Sequence, residues 1–569
     1  MSTTIAPREL RALMAGDELF ALIDVREWGE FSLEQILGSR CVVRGSLEKY
    51  LPFLVPNADV TLVLVCNDGR RSRLAAATAE SLGYHNVTLL AGGLDAWKEG
   101  GGETYSGWSL TGKDYGERLL VEEQLPEISV QDLHARIAAG APVHILDSRP
   151  RSEFRASHLP GARSAPIGQL PFEITDLVSD RQTPVVTNCA GRTRSIIAAH
   201  LLRRMRIANP VYALRGGTGA WRIAGWAKEL ETGGEALGPP ASERSRAAAE
   251  ELASRLARED QIVLLRAEEL RAQINAGKLT YVLDVRLAEE YAAEHIAGAR
   301  LCPGTQVQFA VDALVGVANA TVVTACDGRV RATVAASILK GMGYRNVCVL
   351  DGGIADWKAR GFAVESGPPV EIDYGQPGWL ARFLQDWPAS LGAPRELSVR
   401  GLDAARSRVR RVASRDLAGL AGSPTPVKII DVRSAGEFAA GHIPGALWLS
   451  RGWLELKIEV EVPDRSAPVV AYCRRGVESV MAEATLFDSG YTNVAALEGG
   501  FESWRAASQP VEEGLSEQTQ YEEIASAEVG LFGTGRYGYS NERMARYLKD
   551  EEALGRRHHR RPVATEPQR

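Results

Sequence analysis

No stretch of this 569-residue chain approaches the ~18 consecutive apolar residues of a membrane span. Residues 1–15 show no basic start followed by an apolar run, so no leader peptide, no membrane partner and a cytoplasmic location are expected. Cysteine is scarce and scattered, with seven in all and no C-x-x-C pair, which excludes a disulfide framework and a zinc site. Nine histidines are too dispersed to supply a metal site, and His558 and His559 fall in a basic tail where solvation accounts for them. Neither a metal nor an organic cofactor is expected. Positive charge is not in excess either: a net charge of −6 argues against nucleic acid as the partner.

What the chain does have is self-similarity. An apolar stretch ends in Asp-x-Arg four times, at Asp24-Val25-Arg26, Asp147-Ser148-Arg149, Asp284-Val285-Arg286 and Asp431-Val432-Arg433. A cysteine stands 42 residues after each aspartate: Cys66, Cys189, Cys326 and Cys473. A glycine pair follows (Gly92-Gly93, Gly216-Gly217, Gly352-Gly353, Gly499-Gly500), then a tryptophan (Trp97, Trp221, Trp357, Trp504). Cys41, Cys302 and Cys348 share no such frame and are read as small apolar core residues.

In the first repeat, residues 21–25, 60–65 and 87–90 read as buried strands, 27–31 as a short helix, and 71–82 as a helix stopped by Gly83. Apolar strands alternating with helices predict a parallel sheet with helices on both faces, hence an α/β chain of four tandem Rossmann-like domains. Reactive groups in such sheets lie beyond the carboxyl ends of the strands, where the four cysteines fall. Compositional breaks place the domains at residues 1–110, 124–232, 262–368 and 396–514. An exposed connecting helix is expected within 241–260 and a tail over 515–569, helical at 541–554 and disordered from Gly555. Residues 233–240 are Gly-Pro-rich, and Trp379, Phe383 and Trp387 mark the third connector as a packed segment. Asp114-Tyr115-Gly116 and Asp373-Tyr374-Gly375 follow repeats one and three, as a duplicated two-domain unit would leave them.

Each cysteine ends a buried strand and opens a tight loop into a helix, as in Tyr472-Cys473-Arg474-Arg475-Gly476-Val477-Glu478-Ser479. Loop and helix N–H groups then converge on the sulfur, favouring the thiolate and an anion beside it. The loops carry Arg70 and Arg71, Arg192 and Arg194, Arg329 and Arg331, and Arg474 and Arg475, against Asp68, Asp327 and Glu478. A net basic cradle around a nucleophile predicts a small oxyanion or an anionic sulfur donor as substrate.

The motifs Asp431-Val432-Arg433, Glu437-Phe438, Gly441-His442-Ile443-Pro444-Gly445-Ala446, the Cys473 loop and Gly499-Gly500…Trp504 resemble the rhodanese (thiosulfate sulfurtransferase) domain, and the resemblance recurs in all four repeats. It implies a cysteine that takes sulfane sulfur as a persulfide and passes it to a thiophilic acceptor, cyanide or a thiol. Cys-Arg-Arg-Gly-Val is similar to the Cys-Arg-Lys-Gly-Val loop of thiosulfate-using members. On that match Arg474 and Arg475 hold the donor and Arg433 assists; mercaptopyruvate enzymes usually have glycine directly after the cysteine.

The copies differ. Gln35 replaces the histidine found at His158, His295 and His442, which puts the stability of repeat one in doubt. Asp68 and Asp327 are expected to raise the neighbouring thiol pKa and repel a dianion. Ala332 lacks the hydroxyl of Ser72, Ser195 and Ser479. Cys473 and Cys189 are therefore ranked first as working nucleophiles, with Cys66 and Cys326 slower. The Asp-x-Arg aspartates are read as pairing and shaping residues. One rival is a cysteine-dependent phosphatase or arsenate reductase, but its arginine six positions after the cysteine is absent. The other is a non-catalytic tandem scaffold or persulfide relay.

Overall fold

The computed structural model describes residues 2–229, 241–370, 395, 397–420, 427–515 and 541–559. Residues 233–240, the aromatics Trp379, Phe383 and Trp387, and Asp373-Tyr374-Gly375 lie outside the described residues.

The first repeat runs β1 (Thr3–Ile5), α1 (Pro7–Ala15), β2 (Phe20–Asp24), α2 (Trp28–Leu33), β3 (Arg40–Cys41), α3 (Leu47–Leu54), β4 (Thr61–Val65), α4 (Arg70–Ser81), β5 (Val87–Leu90) and α5 (Gly93–Glu99). The sheet order is β1-β5-β4-β2-β3, every pairing is parallel, and the other three repeats build the same five-stranded order. One antiparallel pair, His295–Ile296 with Val364–Glu365, stands apart. The strands expected at 21–25, 60–65 and 87–90 are β2, β4 and β5 to within a residue.

Alternation along a strand decides what each face carries. In Val469–Tyr472, Val470 and Tyr472 join a core with Phe438, Trp448 and Trp504. Val469, Ala471 and the following Cys473 join the opposite core with Ile458, Ala482 and Leu486. The cysteine is thus set by parity on the face covered by the helix Glu478–Asp488.

The chain forms two compact units that do not follow sequence order. One contains repeats one and four; the other contains repeats two and three with the terminal helix. The units therefore do not pair repeat one with two and repeat three with four. Within the first unit the contact is reciprocal: Arg44 pairs with Glu455, and Arg451 with Glu48. These residues stand 20 and 24 positions after Asp24 and Asp431, so the two repeats offer each other the same surface.

Two expectations about helices need correction. Glu243–Glu259 is not an exposed connector: Ser245, Ala249, Leu252, Ala253 and Leu256 are buried. Its alanines and leucines recur at helical spacing and form one apolar face, whatever the charge of the rest. The terminal helix runs Asn541–His559, so residues 555–559 are helical rather than disordered. The polar connector after repeat one also contains a helix, Leu110–Glu122, with Leu110, Tyr115 and Leu119 buried.

The histidine question resolves locally. His158, His295 and His442 donate from Nδ1 to the carbonyls of Phe154, Tyr291 and Phe438 at 3.0, 2.8 and 3.0 Å, and stack on those rings. Gln35 donates from Nε2 to the Phe31 carbonyl at 3.2 Å. The amide keeps the turn's hydrogen bond, so its loss is not the defect expected of repeat one.

Candidate active site

All four cysteines sit where a central strand ends and a helix begins, but the cradles are of two kinds. In repeats one and four a glycine stands three residues after the cysteine, Gly69 and Gly476, at φ +88° and +84°. This left-handed turn, which costs glycine little, aims the peptide N–H at sulfur: Gly69 N and Gly476 N each lie 3.1 Å from Sγ. Ser72 N adds a second donor to Cys66 at 3.4 Å, and Ser479 Oγ lies 3.4 Å from Cys473. In repeats two and three that position is Arg192 or Arg329, at φ −126° and −139°, and the turn differs.

The second arginine of three loops is not at a substrate surface. Arg71, Arg194 and Arg331 are clamped by both guanidinium nitrogens to Glu30, Glu153 and Glu290, each 41 residues earlier. They are buried, and Arg71 also lies over Trp453 at 4.1 Å. These charges are spent internally, which removes Arg71, Arg194 and Arg331 as substrate ligands. The signal was in the sequence: a glutamate six residues after each Asp shares the frame of those arginines. Repeat four has the glutamate, Glu437, but Glu478 where the arginine would be.

The Cys189 loop is closed. Arg192, 4 % exposed, pairs with Glu117 at 2.7 Å, Glu127 at 3.2 Å and Glu552 at 3.3 Å. Glu551 of the terminal helix accepts from Thr193 Oγ1 and Tyr547 Oη, and a Cβ on Gly191 would meet Glu551 and Tyr547 at 2.9 Å. Burial pushes the Cys189 thiol up, Arg194 and Ser195 pull it back, and Glu551 adds to the rise. The arginines of the Cys189 loop, ranked among the leading sites, are thus answered by Glu117, Glu153 and Glu552 from three helices and by Glu127 from a strand. A chain ending before Asn541 is expected to alkylate at Cys189 about tenfold faster with iodoacetamide, with Cys473 unchanged, as read by peptide mapping.

At Cys326 the loop arginines are also paired, though Arg329 is a third exposed. Arg329 reaches Glu250 at 3.0 Å and Ser254 at 2.8 Å, and Arg331 is shared between Glu290 and Asp327. Burial, then Asp327, pushes this thiol up to about 12, so the carboxylate effect expected from Asp327 is present. Asp68 of repeat one is engaged by Arg70 at 2.6 Å on the surface. Cys41 and Cys302 are buried as expected of core residues, and Cys348 is half-buried.

Cys473 opens into a cavity of about 100 Å³ lined by both repeats of its unit, including Glu27, Lys49, Arg433, Glu437, Arg451, Arg474, Arg475 and Glu478. Arg474 and Arg475 are 49 % and 43 % exposed at its rim and share Glu502 at 3.2 and 3.4 Å. Arg433 lines the cavity but is largely committed: Nε and Nη2 donate to Asp431, Nη2 also to the Gly441 carbonyl at 2.8 Å, and the guanidinium lies 4.2 Å over Phe501. The pairing reading of the Asp-x-Arg aspartates holds in all four copies.

Burial works against the easy ionisation expected of the thiol. Burial first, then the charge of Glu478, pushes Cys473 up to about 12, and the Ser479 donors only partly offset this. A few N–H dipoles do not replace lost solvation plus a like charge. The cavity's acids are affected as well: Glu27, supplied by repeat one, is pushed up to about 7 by burial, and Glu437 is raised by burial against the pull of Arg433.

A family model described as rhodanese-like domain matches residues 6–100, 129–224, 266–360 and 415–507. A crystal structure of thiosulfate sulfurtransferase from Pseudomonas aeruginosa is similar over 97 % of both chains, at 29 % identity and a TM-score of 0.78. Among curated relatives, the thiosulfate sulfurtransferase GlpE of Pseudomonas fluorescens is 36 % identical over 77 residues, 14 % of this chain and 69 % of its own. A sulfurtransferase of Allochromatium vinosum is 33 % identical over 103 residues, 18 % of this chain and 94 % of its own. Among the described residues no helix is long and apolar enough to cross a membrane.

Proposed function

Since this chain belongs to the rhodanese-like domain family, we propose that it is a sulfurtransferase whose working centre is Cys473, taking sulfane sulfur from thiosulfate and delivering it to cyanide or a thiol. The observation that carries this is the cavity lined by Cys473 and rimmed by Arg474 and Arg475, in contrast to the closed loop at Cys189 and the carboxylate-paired arginines at Cys326. The relatives named thiosulfate sulfurtransferase support the choice of donor.

In the first half-reaction the sulfur of Cys473 attacks the outer sulfur of thiosulfate. The S–S bond of the donor breaks with its electron pair on the departing sulfite, and a persulfide remains on Cys473. Gly476 N–H and the helix start hold the negative charge of that persulfide without reorganising, as an oxyanion hole does. Arg474 and Arg475 hold the sulfonate end at the rim. In the second half-reaction the acceptor attacks the terminal sulfur, and the thiol of Cys473 is regenerated. Cys66, Cys189 and Cys326 lie outside this cycle, and repeats two and three act as a scaffold.

The test is thiosulfate with the full chain. Stoichiometric sulfite and a mass gain of one sulfur on the peptide containing Cys473 are expected, followed by thiocyanate when cyanide is added. An aryl phosphate is expected not to turn over. Sulfur on another cysteine, or none on any, overturns the assignment.

A further inference from the structure

Resting on that reading, we propose that repeat one completes the donor site of Cys473: Lys49 holds the anionic donor from the repeat-one wall of the cavity, and Ser46 leaves the room for it. The two repeats meet through one surface used twice. Arg44-Gly45-Ser46-Leu47-Glu48-Lys49 and Arg451-Gly452-Trp453-Leu454-Glu455-Leu456 stand at the same 20 to 25 positions after Asp24 and Asp431. Gly45 and Gly452 are pressed together at its centre: a Cβ on Gly45 would meet Gly452 N at 3.0 Å and the Cβ of Arg451 at 2.7 Å. The Arg–Glu pairs to either side are the same in both directions. Only the third and sixth positions differ, Ser46 against Trp453 and Lys49 against Leu456.

Those two positions distinguish the two cradles. Ser46 and Lys49 line the cavity together with Cys473. In the mirror arrangement the ring of Trp453 packs 4.1 Å from the guanidinium of Arg71, on the helix that follows Cys66, and Leu456 brings no charge. Lys49 stands on the helix Leu47–Leu54 with its side chain 15 % exposed, so its charge is screened little by bulk water. Its pairing with Glu478 is loose, since 3.7 Å is longer than a hydrogen bond. Arg433 and Arg451 line the same cavity but are held by Asp431 and Glu48. An ammonium on a flexible stem can turn from Glu478 to a sulfonate oxygen, where a clamped guanidinium cannot. The charge is needed there, because Glu27, Glu437 and Glu478 line the same space and disfavour a dianion.

Two alkylating reagents of similar size, one anionic and one neutral, separate charge from access. In Lys49→Met of the full chain, the rate of Cys473 labelling by iodoacetate relative to iodoacetamide is expected to fall about tenfold, read by peptide mapping. A change in the thiol itself, including one from an unopposed Glu478, acts on both reagents and cancels in the ratio. The KM for thiosulfate is expected to rise by a similar factor with kcat within about threefold, and Lys49→Arg, which keeps the charge, should recover most of both. Ser46→Trp, which brings the residue of the mirror position, should slow both reagents at Cys473 by about tenfold. An unchanged ratio in Lys49→Met overturns Lys49 as a donor-binding residue, and unchanged labelling in Ser46→Trp overturns the room assigned to Ser46. A wild type that releases no sulfite while the ratio still falls in Lys49→Met would overturn the sulfurtransferase reading and leave Lys49 as the anion-holding residue of this cavity.

Discussion

Cys473→Ser should abolish thiosulfate-dependent sulfite release, by on the order of 10³-fold or more, while Cys66→Ser, Cys189→Ser and Cys326→Ser each leave it within about twofold. The four residues share a frame, so a sequence-based ranking would spread the losses differently. The difference lies in where the loop arginines go. At Cys189 the guanidinium of Arg192 meets three carboxylates, and at Cys326 Arg329 is taken by Glu250. At Cys189 an anionic donor would have to displace the buried Arg192 pairs, leaving uncompensated charge, before reaching sulfur; at Cys326 it would compete with the half-exposed Glu250 for Arg329. At Cys66, Arg71 is buried against Glu30 and Arg70 pairs with Asp68. Arg474 and Arg475, which share Glu502, remain half-exposed at the rim of a cavity that Cys473 lines. The measurement is stopped-flow sulfite detection on the single variants. A tenfold loss in Cys189→Ser would refute this account of the loops.

The largest expected effect on stability is at Asp431. Asp431→Ala is expected to destabilise the fourth repeat by about 3–5 kcal/mol, the usual cost of leaving a buried charge without its partner. Asp431 is fully buried and receives Nε and Nη2 of Arg433 together with the Arg433 backbone N–H. The guanidinium, buried itself, then ties the Gly441 carbonyl and lies over Phe501. One carboxylate therefore anchors the end of the strand, the turn before His442 and the back wall of the cavity. Denaturant-dependent hydrogen exchange over Val469–Tyr472 would report the loss, and Asp431→Asn, which keeps the shape and some hydrogen bonds, should lose less. A change below about 1 kcal/mol in Asp431→Ala would mean that Arg433 finds water.

Much of the site was legible because it is local. The 42-residue step from Asp to Cys, the glycine pair and the tryptophan each report one strand end or one turn, and the structure finds them in register. Gly500 illustrates the link: at φ +61° it lies under the loop, where a Cβ would come within 2.4 Å of the Cys473 carbonyl. Even the buried role of Arg71, Arg194 and Arg331 had a trace, in glutamates fixed 41 residues upstream. Reading loops one at a time hides that trace, since partners on the helices that follow two parallel strands meet only when the sheet is assembled.

The order of residues by itself determined four α/β repeats, a cysteine at the same strand end in each, and a basic loop around it, because backbone period and turn chemistry act over a few residues. That Cys473 lines a cavity was decided by tertiary structure. A terminal helix more than 340 residues away supplies Glu551 and Glu552 to the Cys189 loop, and repeat one supplies Glu27 and Lys49 to the cavity of Cys473. Burial and charge pairing depend on which surfaces meet, and no spacing within a repeat encodes that the first packs with the fourth.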